Sequence, residues 1–151
     1  MVEENAALSP VDREIVDILG CEGRISFREL GERVHLSANT VAERVRRLVE
    51  RGVISGFHAA VSQAALGRGL AAFIDVRLLP GVVPESVEPQ IAALEQVAEL
   101  VDVTGRFDYL LRVACRDAAD LNDVLAALRE FGAAETETRL VLRDLSGTAS
   151  G

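Results

Sequence analysis

Apolar residues near the N-terminus recur with the 3.6-residue period of an amphipathic helix. Ser9-Pro10 is a favourable N-cap and first-turn pair for this helix, and Glu22-Gly23 marks its end. A second helix is predicted after Ser26, because Glu29 follows three residues later as in a capping box. Gly31 lies within this second helix and is small enough to let another helix approach closely.

A third helix is predicted from Ser37 to Gly52, after a short break at His35. One side of this helix is apolar and contains Ala38, Val41, Ala42, Val45, Leu48 and Val49. The other side is polar and contains Asn39, Thr40, Glu43, Arg44, Arg46, Arg47, Glu50 and Arg51. Two short helices joined by a tight turn, the second with a polar outer face, match the helix-turn-helix plan.

The pattern changes after Gly52, where residues 53–54 and 57–61 look extended and several glycines indicate a hinge. Farther on, strand and helix patterns alternate. The predicted elements are a strand at 72–79, a helix from Pro84, strands at 100–104 and 107–115, a helix after Asp117 and a strand at 135–145. The order βαββαβ is a ferredoxin-like split unit, so the predicted fold class is α+β.

These patterns divide the chain into four parts. They are a helix-turn-helix domain at 1–55, a linker or hinge strand at 56–69, a second domain at 70–146 and a polar tail at 147–151. The length of 151 residues suits two small domains, and the hydrophobic content of 49% is enough to bury a core in each.

Charge is distributed unevenly. The chain has a net charge of −8, yet the segment from Arg24 to Arg51 contains seven arginines and four glutamates, a local charge of +3. All 16 basic residues are arginine, which suits bidentate recognition of phosphate and guanine. A basic patch on an acidic protein is compatible with binding of nucleic acid, because phosphate is repelled from the remaining surface.

Several function classes find little support. No apolar run is long enough to span a membrane, and the N-terminus lacks a signal-peptide pattern, so a cytoplasmic protein without a membrane partner is expected. Cys21 and Cys115 are far apart and lack a nearby histidine, so neither a metal site nor a cofactor is predicted. The two histidines, His35 and His58, have no evident catalytic partner, so an enzyme is not predicted.

The polar face of the third helix has the residue types that read the major groove of DNA. Asparagine can read adenine, arginine guanine and glutamate cytosine. The Asn39-Thr40 pair lies at the N-terminal end, Glu43 and Arg47 follow on the same face, and Arg44 and Arg46 flank them as candidate phosphate contacts. The predicted DNA-binding residues are Ser37, Asn39, Thr40, Glu43, Arg44, Arg46 and Arg47. The alternative is an ordinary solvated helix.

Two stretches resemble one known family. GRISFRELGERVHLSANTVAERVRRLVERGVISGF resembles the DNA-binding half of the Lrp/AsnC family, the feast/famine regulators, and TGRFDYLLRV resembles that family's second signature. The resemblance covers nearly the whole chain. It implies a transcriptional regulator with a winged helix-turn-helix domain and an ACT-like domain that senses an amino acid or a related metabolite. It also implies homodimers, often assembled into octamers, with the effector bound between subunits.

The same resemblance places the effector pocket around the hairpin of the second domain. The implied effector-binding residues are Thr104, Gly105, Arg106, Phe107, Asp108, Tyr109, Thr136, Thr138 and Arg139. Asp108 is a candidate acceptor for a ligand ammonium group, and the alternative is that it caps a simple tight hairpin. The glycine at 105 frees backbone amides to approach a ligand.

Three positions depart from the family pattern. His35 stands where glycine is usual, in a turn that needs a positive φ, so modest strain is expected. Arg106 and Arg139 are also unusual and could favour a ligand with an extra carboxylate. They could instead be surface residues paired with Glu135 or Glu137.

Two further expectations follow. Haem-precursor (tetrapyrrole) decarboxylases share this architecture and are the alternative function, although they would not need a reading helix. The sheet face opposite the helices carries Phe73, Leu110 and Val141 and is too apolar to stay in water. A face-to-face dimer is therefore expected, with a pseudo-palindromic operator in double-stranded DNA.

Overall fold

The computed structural model describes residues 8–145, so the predicted tail at 147–151 lies outside the described residues. The chain divides into two compact units between Ala60 and Val61. This boundary falls within the range 56–69 that the sequence analysis assigns to a linker. Each unit has its own hydrophobic core.

The first unit contains three helices, each begun by a serine that caps its first turn. They are α1 (Pro10–Cys21), α2 (Phe27–Val34) and α3 (Ala38–Glu50). The hydroxyls of Ser9, Ser26 and Ser37 each accept a hydrogen bond of 3.1 Å from the backbone amide three residues later. These bonds satisfy amides that have no partner within the helix, which explains why the helices begin where the sequence predicts.

The apolar sides of the three helices meet in one core. Its buried residues are Ile15, Leu30, Val34, Val41, Val45 and Leu48. Phe27 and Val49 also belong to apolar stripes, but the side chain of each is 45% exposed. Both lie at the ends of their helices, so the core is built from the middle turns.

The turn between α2 and α3 is held by a close backbone approach. His35 has φ 55°, the left-handed conformation that the sequence analysis expects, and the amide of Leu36 donates to the carbonyl of Gly31 at 2.8 Å. A Cβ added at Gly31 would lie 2.5 Å from the carbonyl oxygen of Leu36. The absence of a side chain at Gly31 therefore lets the chain reverse tightly before α3.

The extended segment predicted after Gly52 is wrong, because none of residues 53–69 forms a strand. Gly52 has φ 70°, and the amides of Val53 and Ile54 both donate to the carbonyl of Leu48. These bonds fold the chain back over the end of α3, where Val53 and Ile54 pack against the core. The linker contains a turn at 63–67 instead of a hinge strand.

The second unit is a four-stranded antiparallel sheet with two helices. Its elements are β1 (Leu70–Leu78), α4 (Pro84–Ala92), β2 (Val97–Asp102), β3 (Tyr109–Cys115), α5 (Ala118–Glu130) and β4 (Ala133–Leu140). The strand order is β2-β3-β1-β4. The chain order βαββαβ and the α+β class predicted from the sequence are confirmed.

Strand boundaries differ from the prediction where pairing partners end. β4 stops at Leu140, opposite Ala72, and Val141 donates one further bond to Ala71. Because β1 begins at Leu70, the following residues have no strand beside them, and the predicted continuation to 145 is absent. β2 begins at Val97, three residues before its predicted start, since Val97 already pairs with β3.

The two faces of the sheet have different environments. Ile74, Val76 and Leu111 are fully buried and pack with residues of α4 and α5, such as Val87 and Leu128. The opposite face carries Phe73, Leu110, Arg112, Asp75 and Arg139, together with the partly exposed Val141. This open face is apolar at its centre and charged around it.

The structure bears on two kinds of feature considered from the sequence, a membrane-spanning helix and a metal site. Within residues 8–145, no helix is both long and apolar enough to cross a membrane. No group of three or more His, Cys, Asp or Glu side chains in the same range could hold a metal ion. Burial raises the pKa of the Cys115 thiol to about 11, so this thiol stays protonated at neutral pH.

The packing at Gly31 yields a test with a matched control. We expect Gly31→Ala to destabilise the first unit by about 1–3 kcal/mol, because the new methyl group would overlap the Leu36 carbonyl. Gly20→Ala should instead stabilise it by about 0.5–1 kcal/mol, since nothing lies within 4 Å of a Cβ at that helical position. Urea unfolding of the full chain, followed by far-ultraviolet circular dichroism, measures both. Equal effects of the two substitutions would contradict the close approach.

Candidate functional site

The N-terminal end of α3 is exposed, and some of its polar side chains are engaged in capping the helix. The Ser37 hydroxyl accepts from the amide of Thr40 and lies 2.8 Å from the Thr40 hydroxyl. Asn39, between them, is exposed. Ser37 therefore shapes the start of the helix, while Asn39 is presented on its outer side.

The middle of the outer face is a cluster of paired charges. Glu43 accepts from Arg46 through both carboxylate oxygens, at 2.6 and 3.1 Å, and from Nε of Arg47 at 3.1 Å. Arg46 also donates to Glu50. All four side chains are substantially exposed. They form one row along the surface because the paired residues are three or four positions apart on the helix.

The hydrogen bonds between Glu43 and Arg46 favour the ionised form of both side chains. Hydrogen bonding from Arg46, the main cause, and the charge of Arg47 hold the pKa of Glu43 below its ordinary value. Hydrogen bonding to Glu43 likewise raises the pKa of Arg46. The pair formed by Glu43 and Arg46 is therefore stabilised in its ionised form.

Arg44 is placed differently from the other predicted phosphate contacts. Its Nη1 donates to Asp12 of α1 at 2.9 Å, its side chain is only 35% exposed, and its Nε is buried without a hydrogen-bond partner. A hydrogen bond from Ser9, and then the Arg44 guanidinium, lower the pKa of Asp12. Arg44 thus joins α3 to α1, and the structure does not bring it into the row formed by Glu43, Arg46 and Arg47.

In the second unit, Asp108 is tied to the end of β1. Its carboxylate accepts from the amide of Leu78 at 2.7 Å, and its own amide donates to Val76 at 2.9 Å. Its carbonyl accepts from the amide of Val103, which closes the loop containing Gly105 at φ 119°. Asp108 therefore bridges to a neighbouring strand, where the β1–β4 register shifts, and is not a simple cap of its own hairpin.

Tyr109 lies beneath this loop and is nearly buried, with 3% exposure. Its hydroxyl donates to the carboxylate of Glu88 at 2.8 Å. Burial, followed by the bond to Glu88, raises the pKa of Tyr109 to about 12. The hydroxyl therefore stays protonated and holds the Glu88 carboxylate in place at the edge of α4.

A cleft of about 480 Å³ opens beside Asp108 and Tyr109. It is lined by Leu78, Leu79, Pro80, Val82, Pro84, Glu85, Glu88, Asp102, Asp108 and Tyr109. Four of these residues carry carboxylates, and none of the described lining residues is basic. Glu85, Glu88 and Asp102 are not among the residues predicted from the sequence. They come from α4 and β2, and nothing in their local patterns brings them to the hairpin.

The other predicted effector residues are spread over the unit. Arg106 pairs with Glu135 and stacks over the Phe107 ring at 5.2 Å, whereas Arg139 pairs with Asp75 at 2.5 Å on the open sheet face. The surface-pair interpretation therefore holds for Arg106, and Arg139 has a partner other than the two considered.

The two threonines of β4 are also outside the cleft. Thr136 and Thr138 lie opposite Val76 and Ile74, so their side chains belong to the helix-covered face. Arg139, next to them in sequence, points to the opposite face by strand alternation. The structure thus brings Asp108 and Tyr109 together and separates Thr136, Thr138 and Arg139 from them, while Thr104 remains exposed in the loop.

Comparison with known proteins gives a consistent result for both units. A model of the Lrp/AsnC ligand binding domain matches residues 71–150, and a model of a winged helix-turn-helix DNA-binding domain matches residues 8–55. The HTH-type transcriptional regulator LrpA of Mycobacterium tuberculosis is 33% identical over 138 residues, covering 91% of this chain and 92% of the relative. The leucine-responsive regulatory protein of Haemophilus influenzae is 34% identical over 150 residues, covering 97% and 90% respectively.

Solved structures agree with these matches. The transcriptional regulator NMB0573 of Neisseria meningitidis, in complex with L-Met, has a TM-score of 0.87 at 26% identity and covers 93% of each chain. AsnC of Escherichia coli has a TM-score of 0.81 at 27% identity, covering 91% of this chain and 94% of that one. The proteins named here are regulators, and the tetrapyrrole decarboxylase alternative receives no support. The chain belongs to the Lrp/AsnC family of transcriptional regulators, with a winged helix-turn-helix DNA-binding domain followed by a ligand-binding domain.

Proposed function

We propose that this regulator reads DNA through the outer face of α3 and responds to an amino acid or related metabolite in the cleft beside Asp108. The observation that carries the DNA-reading part is the exposed outer face of α3, with Asn39 near its start and Arg47 two turns later. The apolar side of the same helix is buried in the core, so the polar side is free to enter a major groove. We assign the protein to the cytoplasm and give it no enzymatic role.

Arg47 is the strongest candidate for direct reading of a base. It donates to Glu43 only through Nε, so that carboxylate does not engage its two terminal nitrogens. An arginine that presents its terminal nitrogens can bond both acceptors on the major-groove edge of guanine. Arg46 donates hydrogen bonds from all three of its guanidinium nitrogens to Glu43 and Glu50. It is the better candidate for a phosphate contact.

The acidic cleft supports an effector with an ammonium group. Glu88, Asp102 and Asp108 supply carboxylate oxygens on its walls, and Leu79 and Val82 supply apolar surface. Backbone amides of the adjacent loop would donate to a ligand carboxylate, because Gly105, at φ 119°, has no side chain to obstruct the approach. Because Arg106 is already paired with Glu135, an additional acidic group on the ligand is not favoured.

The open face of the sheet supports assembly of the regulator with itself. Phe73 and Leu110 lie at its centre, and Val101 is 46% exposed beside them. Ion pairs such as Arg139–Asp75 surround this apolar patch and limit its area. We propose that two copies pack these faces together, that the dimer can build larger assemblies such as an octamer, and that the operator is pseudo-palindromic.

The DNA assignment predicts the effect of Arg47→Ala. Loss of a bidentate base contact should weaken operator binding by about 1–3 kcal/mol and relax the preference at one base pair. Arg13→Ala removes the same charge from α1 and should change operator affinity far less. Fluorescence anisotropy with a duplex selected from a random pool measures both. Unchanged operator affinity in Arg47→Ala would show that α3 does not read the site.

The effector assignment predicts the effect of neutralising the cleft. A thermal-shift screen with the twenty amino acids first identifies the ligand with the largest stabilisation. Asp102→Asn should weaken that ligand at least about tenfold, because a charge-assisted hydrogen bond contributes about 1.5–3 kcal/mol. Asp123→Asn, on the exposed side of α5, is the matched control. Calorimetric titration gives both affinities, and equal values for Asp102→Asn and wild type would place the pocket elsewhere.

The assembly assignment predicts a change in size. Wild-type protein should sediment as a dimer or larger at micromolar concentration, whereas Phe73→Glu should shift it toward monomer by burying a charge in the apolar patch. Leu66→Glu adds the same charge at a position that is 62% exposed and outside the sheet. Analytical ultracentrifugation compares the three proteins. A monomeric wild type would rule out the face-to-face dimer.

A further inference from the structure

The row of Glu43, Arg46, Arg47 and Glu50 on the outer face of α3 contains as many carboxylates as guanidinium groups. Glu43 accepts three hydrogen bonds, two from Arg46 and one from Arg47, and Glu50 accepts another from Arg46. The two positive charges that would meet DNA are therefore balanced by two negative charges within the same row. This pairing is local to the helix and requires no other part of the fold.

We propose that Glu43 is a positioning residue that sets DNA specificity by holding Arg46 and Arg47 away from phosphates until a matching duplex is bound. Non-specific binding is driven almost entirely by release of counterions when lysine or arginine neutralises phosphate. An arginine that is already paired with Glu43 gains less binding free energy from the phosphates of an unmatched duplex. A matched operator offers acceptors on base edges as well as phosphates, so there the exchange of partners is favourable.

The geometry singles out Glu43 over its neighbour. Glu50 contacts Arg46 alone, whereas Glu43 lies three residues before Arg46 and four before Arg47 and contacts both. Its Oε1 receives two donors and its Oε2 one. Each pair is exposed to solvent and therefore weak, so DNA can displace it.

This role differs from the one that the sequence suggested for Glu43. Direct reading of cytosine requires a carboxylate oxygen free to accept from the base amino group. In the structure arginine donors already occupy three of the roughly four acceptor sites of this carboxylate, which leaves little capacity for a base. Glu43 therefore acts through Arg46 and Arg47, and its effect should appear on every sequence that these arginines contact.

The proposal rests on α3 being the DNA-reading helix, and Glu43→Gln tests it separately from that assignment. Glutamine has a similar size and helix propensity but no charge, so the helix should persist. Binding to the selected operator and to a shuffled duplex of the same composition is measured across a range of salt concentrations. We expect affinity for the shuffled duplex to rise about three- to tenfold in Glu43→Gln, and its salt dependence to steepen by about one unit of slope. Operator affinity should change less, so the specificity ratio falls.

Two controls separate pairing from net charge. Glu14→Gln removes the same charge from the exposed surface of α1 and should leave the specificity ratio unchanged. Glu50→Gln releases only the second contact of Arg46 and should give a smaller effect than Glu43→Gln. Repeating Glu43→Gln in an Arg46→Ala, Arg47→Ala background should abolish the gain in shuffled-duplex affinity. Circular dichroism of every variant verifies that helix content is retained.

Three results would overturn the proposal. If affinity for the shuffled duplex rose equally in Glu14→Gln and Glu43→Gln, the effect would come from net charge and not from pairing with arginine. A loss of operator affinity in Glu43→Gln, with no change for the shuffled duplex, would make Glu43 a direct base reader. A gain that persists without Arg46 and Arg47 would break the link to these arginines. Failure of the α3 assignment itself is recognised independently, because Arg47→Ala would then leave operator binding intact.

Discussion

The α-carbon of Gly31 and the carbonyl of Leu36 come so close together that no side chain fits between them. This approach determines how α2 turns into α3, since the amide of Leu36 bonds back to Gly31 and His35 takes a left-handed conformation between them. The apolar side of α3 then meets the core, and its polar side faces outward. The proposed DNA-reading surface therefore depends on a backbone contact that forms before α3 begins.

Many of the charged side chains in the described residues form ion pairs. Arginines that a count would assign to a basic patch are held by carboxylates on the same helix, as in the row around Glu43, or on a neighbouring helix, as Arg44 is by Asp12. In the second unit Arg106 and Arg139 are similarly paired. The acidic cleft is the contrast, because none of its described lining residues supplies a positive charge. The unbalanced negative charge of the cleft suits an ammonium ligand. The balanced charge of the row on α3 suits a selective contact with DNA.

Asp108 fixes the geometry beside the cleft of the second unit. Its carboxylate and backbone together connect the hairpin to the end of β1, where the ladder with β4 shifts register and the chain leaves the sheet. The cleft opens at this irregularity, between the end of β1 and α4. Asp108, which belongs to a family motif, thus has both a structural role and a proposed ligand-binding role. A substitution at Asp102 tests ligand binding without removing the structural hydrogen bonds of Asp108.

The sequence by itself determined the helices, their serine caps and the βαββαβ order, whereas the left-handed turn at His35 was expected from the family resemblance. These depend on local patterns, such as apolar periodicity and capping side chains, that act over a few residues. It did not determine that Arg44 pairs with Asp12, that Glu88 and Asp102 join Asp108, or that Thr138 and Arg139 face opposite sides of the sheet. It also predicted a strand after Gly52 where none forms, because a strand needs a partner to satisfy its backbone. Long-range pairing and strand register arise only when the whole chain packs, and they decided which side chains meet at each site.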